Sequence, residues 1–199
     1  LMDGAFTFYG DFARQAIYHE GASLKVLKDF TYYARKHLSI NCRNTRYIGN
    51  ELVNITGYDD KHYLLKITGE PVDYYVWDTE EEQSKKLSEC IKELKKKGFK
   101  ASSIMILSPK KRERSVVNYF DKDEFIIGNY GKDSDAYLAM YSTVHAYKGL
   151  ESEIVILSDV EDYSDISIMY IALSRARSKL IVLESTKASE QRKKRIVAR

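Results

Sequence analysis

Short apolar runs separated by polar turns set the frame of this chain. Ile104–Leu107, Tyr137–Ser142, Ile154–Leu157 and Leu180–Leu183 each have the length of a buried strand. Val72–Trp77 has the aromatic and β-branched content of another. Ala5–Tyr9 and Leu38–Asn41 are shorter strands of the same kind. Between the strands the period changes. Ile48, Leu52 and Ile55 recur at i, i+4 and i+7, which predicts a helix from about Thr45 to Thr56 with Gly57 as its stop. The clearest helix is Thr79–Lys97. Leu87, Ile91 and Leu94 line one face, Glu80, Glu81 and Glu82 favour the first turn, and Lys95, Lys96 and Lys97 favour the last. Ile168, Ile171 and Ala172 mark one face of a further helix. Strands alternating with helices predict an α/β fold: a mostly parallel sheet with helices on both faces, in three layers, αβα.

Other segments stay open. Residues 58–70 are polar and mixed, either loop or hairpin. Residues 121–135 are charged, with an apolar island at Phe125–Ile127. Thr186–Arg199 reads as a helix or a frayed tail.

Composition changes this picture little. At 199 residues, 44% hydrophobic and 31% charged, the chain is long enough for one α/β domain with its own core. A net charge of +3 permits nucleic-acid binding without selecting it. Cys42 and Cys90 lack metal-ligand spacing, and a reduced, cytoplasmic setting is expected. No apolar run of the roughly 18 residues a span needs is present, so no membrane partner is expected, and no signal peptide is visible. The chain opens Leu1-Met-Asp-Gly, and we expect it to be a piece of a longer protein.

The candidate chemistry gathers around residues 137–184. Open parallel sheets bind ligands at the carboxyl ends of their strands. Thr143, His145, Lys148, Gly149 and Glu151 all follow such a strand, and Gly149 permits a sharp bend or a close approach. Arg43 stands at a strand end beside a helix N-terminus, a poor place for a cation unless an anion meets it. That anion is either a ligand or a neighbouring carboxylate. Gly10-Asp11 is a further strand-end corner. Ser108-Pro-Lys-Lys-Arg-Glu-Arg114 is either a phosphate-contacting loop or a solvated helix start. A phosphate cradle of the form Gly-x-x-x-x-Gly-Lys-[Ser/Thr] is absent from the sequence. Gly128-Asn-Tyr-Gly131-Lys132-Asp133 has the wrong glycine spacing, and Asp133 where a hydroxyl must meet the metal.

The order of polar residues carries a resemblance. Thr143-Val-His-Ala-Tyr-Lys-Gly-Leu-Glu151 resembles motif V of UvrD/Rep-like superfamily 1 DNA helicases, and Tyr170-Ile-Ala-Leu-Ser-Arg-Ala-Arg177 resembles their motif VI. Gly10-Asp11 with Gln15 and Ile17-Tyr18 is similar to motif III, and Asn41-Cys-Arg43-Asn-Thr45 to motif IV. The resemblance implies two RecA-like lobes with ATP between them. Residues 1–35 would be the tail of the first lobe and 36–199 the second. About 100 residues separate the motif IV and motif V matches, too few for the large helical insertion of bigger relatives.

By the same resemblance Arg43 and Arg175 would be cationic fingers on the transferring phosphoryl group, and Gln15 a sensor of the terminal phosphate. Lys148, Gly149 and Glu151 would contact the nucleotide, Glu151 at the ribose. Tyr18 would stack on bases, and Thr143 and His145 would hold the strand backbone. ATP and Mg²⁺ are the implied cofactors. Single-stranded DNA, or RNA, is the implied track. The first lobe would supply the phosphate cradle and the Mg²⁺ ligands, so the chain alone should not hydrolyse ATP. The rival reading is a non-catalytic nucleic-acid-binding or protein-docking module derived from such a lobe.

Overall fold

The computed structural model describes residues 40–58, 62–63, 67–119, 126–133 and 139–198. The expected strand Ala5–Tyr9, the Gly10-Asp11 corner and the candidates Gln15 and Tyr18 lie outside the described residues.

Six strands form one wholly parallel sheet: β3 (Asp73–Trp77), β4 (Ile104–Ser108), β5 (Ile127–Asn129), β6 (Ala139–Thr143), β7 (Ser152–Val160) and β8 (Ala176–Ser185). Their order across the sheet is β3-β8-β7-β4-β6-β5. The central strands are those whose apolar runs do not alternate. Ile104, Ile106, Leu107, Ile154 to Leu157 and Leu180 to Leu183 are all buried, because both faces of the sheet are covered. β7 and β8 extend well past the apolar runs that mark them in the sequence, since their polar ends still pair in the ladder.

Two helices and part of a third pack one face. They are α1 (Arg46–Thr56), α3 (Ile166–Leu173) and the first turn of α4 (Thr186–Val197), meeting the sheet through Ile48, Leu52, Ile55, Ile171, Leu173 and Ala188. The other face carries α2 (Glu80–Lys96) and the 3₁₀ turn Val116–Asn118, through Leu87, Ile91, Leu94, Val116 and Val117. Helices on both faces give the three-layer αβα arrangement expected from the periodicity. The start of α2 is built as its sequence suggested. The Thr79 hydroxyl accepts from the Glu82 amide, and the Glu82 carboxylate accepts from the Asp78 amide at 3.0 Å.

Two segments left open by the sequence now have a form. Thr186–Val197 is a helix, capped by the Ser185 hydroxyl, which accepts from the Ala188 amide. It is pinned by Arg192, whose guanidinium grips the fully buried Glu184 at 2.7–3.2 Å. Within 58–70, β2 (His62–Tyr63) pairs parallel with β1 (Ile40–Asn41) in a separate two-stranded sheet, so no hairpin forms among the described residues.

Candidate functional site

The sequence reading set Thr143, His145, Lys148, Gly149 and Glu151 together at a carboxyl edge. The structure divides them. β6 and β7 both pair parallel with β4, with Ser108 opposite Thr143 and Ile104 opposite Ile154. The chain must therefore return from the carboxyl edge to the amino edge between the two strands, and residues 144–151 make that return. Thr143 and His145 stay at the carboxyl edge. Gly149 and Glu151 arrive at the amino edge, where Ser152 pairs with Ala176 at the start of β8.

The return is braced by a residue whose role the sequence did not show. Tyr147 is buried, its amide donates to the Thr143 carbonyl at 3.0 Å, and its hydroxyl donates to the Glu151 carbonyl at 2.9 Å. Thr143 Oγ1 accepts from the Ala146 amide, and the Lys148 amide donates to the His145 carbonyl. Gly149 has φ +90°, a left-handed backbone that side chains disfavour, and the space around it is open.

Three arginines and one carboxylate converge at the amino edge. Arg43 comes from the turn between β1 and α1, Arg175 from the turn between α3 and β8, and Arg177 from β8 itself. Arg43 Nε donates to Glu151 Oε2 at 2.7 Å, and Arg177 Nε lies 3.6 Å from Glu151 Oε1. The anion that Arg43 needed is thus a carboxylate of this chain, itself a candidate site residue. Arg175 is only 1% exposed. Its Nε donates to the Ile171 carbonyl, and its two terminal nitrogens donate to the Leu150 carbonyl and the Ser174 hydroxyl, at 2.8–2.9 Å. Among the described residues no carboxylate is hydrogen-bonded to it. Burial, and then the like charge of Arg43, push its guanidinium down to about 10. It remains charged at neutral pH, with a second cation close by. Arg177 was missed as a site residue, although it closes the matched stretch Tyr170–Arg177.

The carboxyl edge holds a second polar cluster that the sequence reading also missed. Asp159 closes β7 with φ 58°, a left-handed conformation rare outside glycine. Its buried carboxylate accepts from the hydroxyls of Ser108 and Ser115 at 2.6 Å, from Gln83 and the Val116 amide at 3.0 Å, and from Ser158 at 3.1 Å. These bonds tie the loop after β4 to the sheet. That loop is the basic stretch 108–114, and part of it is structural. Arg112 donates to the Ile127 carbonyl and the Asn129 side chain of β5, and Lys110 pairs with Glu161 at 2.7 Å.

The all-parallel αβα lobe is the architecture expected of a RecA-like lobe. The AAA domain family matches residues 34–187, and the chain belongs to that family. Among solved structures it is similar to the C-terminal domain of a possible DNA helicase from Lactobacillus plantarum, with 13% identity and a TM-score of 0.59, covering 73% of this chain and 88% of that one. At that identity the likeness is one of fold. The helicase of PRRSV aligns over 75% of this chain and 23% of its own, with 14% identity and a TM-score of 0.40, too low to carry weight. A comparison with curated proteins gives no match. Among the described residues no helix is long and apolar enough to cross a membrane.

Proposed function

We propose that this chain is the second motor lobe of an ATP-driven superfamily 1 DNA helicase or translocase, of the UvrD/Rep-like kind, acting in the cytoplasm in a process such as DNA repair. Residues 36–199 form that lobe in this reading, and residues 1–35 belong to the tail of the first. The observation that carries it is the convergence of Arg43, Arg175 and Arg177 around Glu151 at one sheet edge. Guanidinium groups fit polyphosphate oxygens, to which they donate in a planar fork.

ATP bound against this edge would supply the phosphoryl group that is transferred to water. Arg43 and Arg175 stabilise the charge that develops on it, an effect of about 10³–10⁵ in rate in comparable NTPases. Glu151 leaves its ion pairs for the ribose hydroxyls, and Arg43 is freed in the same step. Each terminal nitrogen of Arg175 carries a second N–H, which faces the phosphate when the lobes close. Gly149 admits the nucleotide backbone closely, and Lys148 lies beside it. Gln15 senses the terminal phosphate, and Tyr18 stacks on a base. Mg²⁺ is assigned to ATP and the first lobe, as the resemblance implies. Thr143 and His145, at the opposite edge, hold single-stranded DNA by its backbone, with RNA as the alternative track.

The test is DNA-stimulated ATP hydrolysis by the full-length protein carrying Arg43→Ala or Arg175→Ala. Collapse of turnover with strand binding retained is expected; near-normal turnover in both variants refutes the assignment. One observation favours a second reading, a non-catalytic docking or nucleic-acid-binding lobe. Arg175 is buried and bonded to this chain's own carbonyls rather than presented. Strand binding without any ATPase in the full-length protein would select it.

A further inference from the structure

The turn that carries Arg43 and the turn that carries Arg175 are joined by one buried side chain. Asn41 Oδ1 accepts from the amides of Arg43 at 3.0 Å and Asn44 at 3.1 Å, which folds the first turn. Asn41 Nδ2 then donates to Asn44 Oδ1 at 2.9 Å. That bond fixes which way the Asn44 amide points, since the oxygen must meet a donor. Asn44 Nδ2 is left facing two groups that can only accept. It donates to the carbonyls of Ser174, at 3.2 Å, and Ala176, the residues on either side of Arg175. The Thr45 amide donates to the Arg177 carbonyl at 3.2 Å, and the Ser152 amide takes the Arg175 carbonyl at 3.0 Å. Asn44 is 2% exposed, and both ends of its amide are satisfied.

We propose that Asn44 is a positioning residue that holds Arg43 and Arg175 at one fixed spacing, so that the two cations meet a polyphosphate as a unit. The inference rests on the reading that both arginines serve one nucleotide. A core asparagine kept only for stability would not need to bracket the finger. Ser174 and Ala176 are buried, so their carbonyls need a partner, and that partner is the residue next to the other arginine.

Asn44→Ala in the full-length protein is expected to lower kcat for DNA-stimulated ATP hydrolysis by about tenfold to a hundredfold, the scale of a misplacement of about 1 Å. KM for ATP should stay within about twofold, because the spacing matters most as charge develops. In the Arg175→Ala background the same change should add no further loss, since there is no longer a spacing to keep. Turnover within about twofold of the parent in a folded Asn44→Ala protein overturns the proposal. So does a loss that multiplies with that of Arg175→Ala. Should Asn44→Ala fail to fold, Asn41→Ala removes the orienting bond from the half-buried side, and the same split and the same coupling are expected. The site reading itself fails separately: Arg43→Ala and Arg175→Ala would then leave turnover near normal whatever Asn44 does.

Discussion

Replacing Arg192 by Ala should strip the C-terminal helix of its anchor. Glu184 lies near the end of β8 with no exposure at all. Its carboxylate is held by Arg192 through three contacts of 2.7–3.2 Å and by the Tyr163 hydroxyl at 2.6 Å. The guanidinium also lies 3.5 Å from the centre of the Tyr74 ring, whose hydroxyl donates to Glu51 of α1 at 2.7 Å. Arg192→Ala leaves a buried charge with one neutral donor. Breaking a buried pair from one side costs about 3–5 kcal/mol. At about 2–4 °C per kcal/mol for a domain of this size, the melting temperature should fall by about 6–20 °C. Thermal and urea melts followed by circular dichroism read the change. Replacing both partners, Glu184→Leu with Arg192→Met, removes the stranded charge and should recover most of the loss. An Arg192→Ala protein within about 1 kcal/mol of the parent refutes the reasoning, as does a double variant no better than the single one.

Further outcomes follow from other sites. Arg43→Ala and Arg175→Ala should each lower DNA-stimulated turnover by about 10³-fold or more, read by phosphate release. Asp159→Ala should cost about 2–4 kcal/mol in a urea melt, because its serine, glutamine and amide donors lose their acceptor; a change below about 1 kcal/mol would show that the cluster does not hold the loop. Cys42 is exposed and Cys90 buried, so brief alkylation of the native chain at pH 8 should add one label, at Cys42, and two only after unfolding; mass spectrometry counts them. Burial, then the nearby Glu93, pushes the Cys90 thiol up to about 12 from 9.0. The native state thus keeps a proton that the unfolded chain releases. The contribution to stability is whole below about pH 9 and lost towards pH 12, and an unchanged urea midpoint across that range in a Cys90→Ala comparison would contradict it.

The layers were legible because they depend on local pattern. Ile104–Leu107 and Ile154–Leu157 are continuous apolar runs only because helices cover both faces of their sheet. Glu80 to Glu82 and Lys95 to Lys97 announce the ends of α2 without any tertiary contact. The matched motifs brought Arg43, Glu151 and Arg175 forward, and these three do meet at one edge. The division of residues 143–151 between two edges was implicit in the expected parallel sheet but not drawn from it. Two successive parallel strands require the chain between them to cross from the carboxyl edge to the amino edge, whatever their order in the sheet. Asn44 and Asp159 were missed for a different reason. Asn44 is a small polar residue in a turn and Asp159 one near a strand end, like many others, until partners 130 and 51 residues away in sequence are known. The paired asparagines at 41 and 44 were the one local hint.

Tyr147 spans the return from one rim of the sheet to the other. One end of its residue is bonded to Thr143 and the other to Glu151, and these sit on opposite rims of the sheet. The eight residues of the return are thus fixed by a buried ring at both ends and not left as a free loop. Tyr147→Phe would keep the ring and the bond to Thr143 while releasing the Glu151 end, so the position of Glu151 depends on a single hydroxyl.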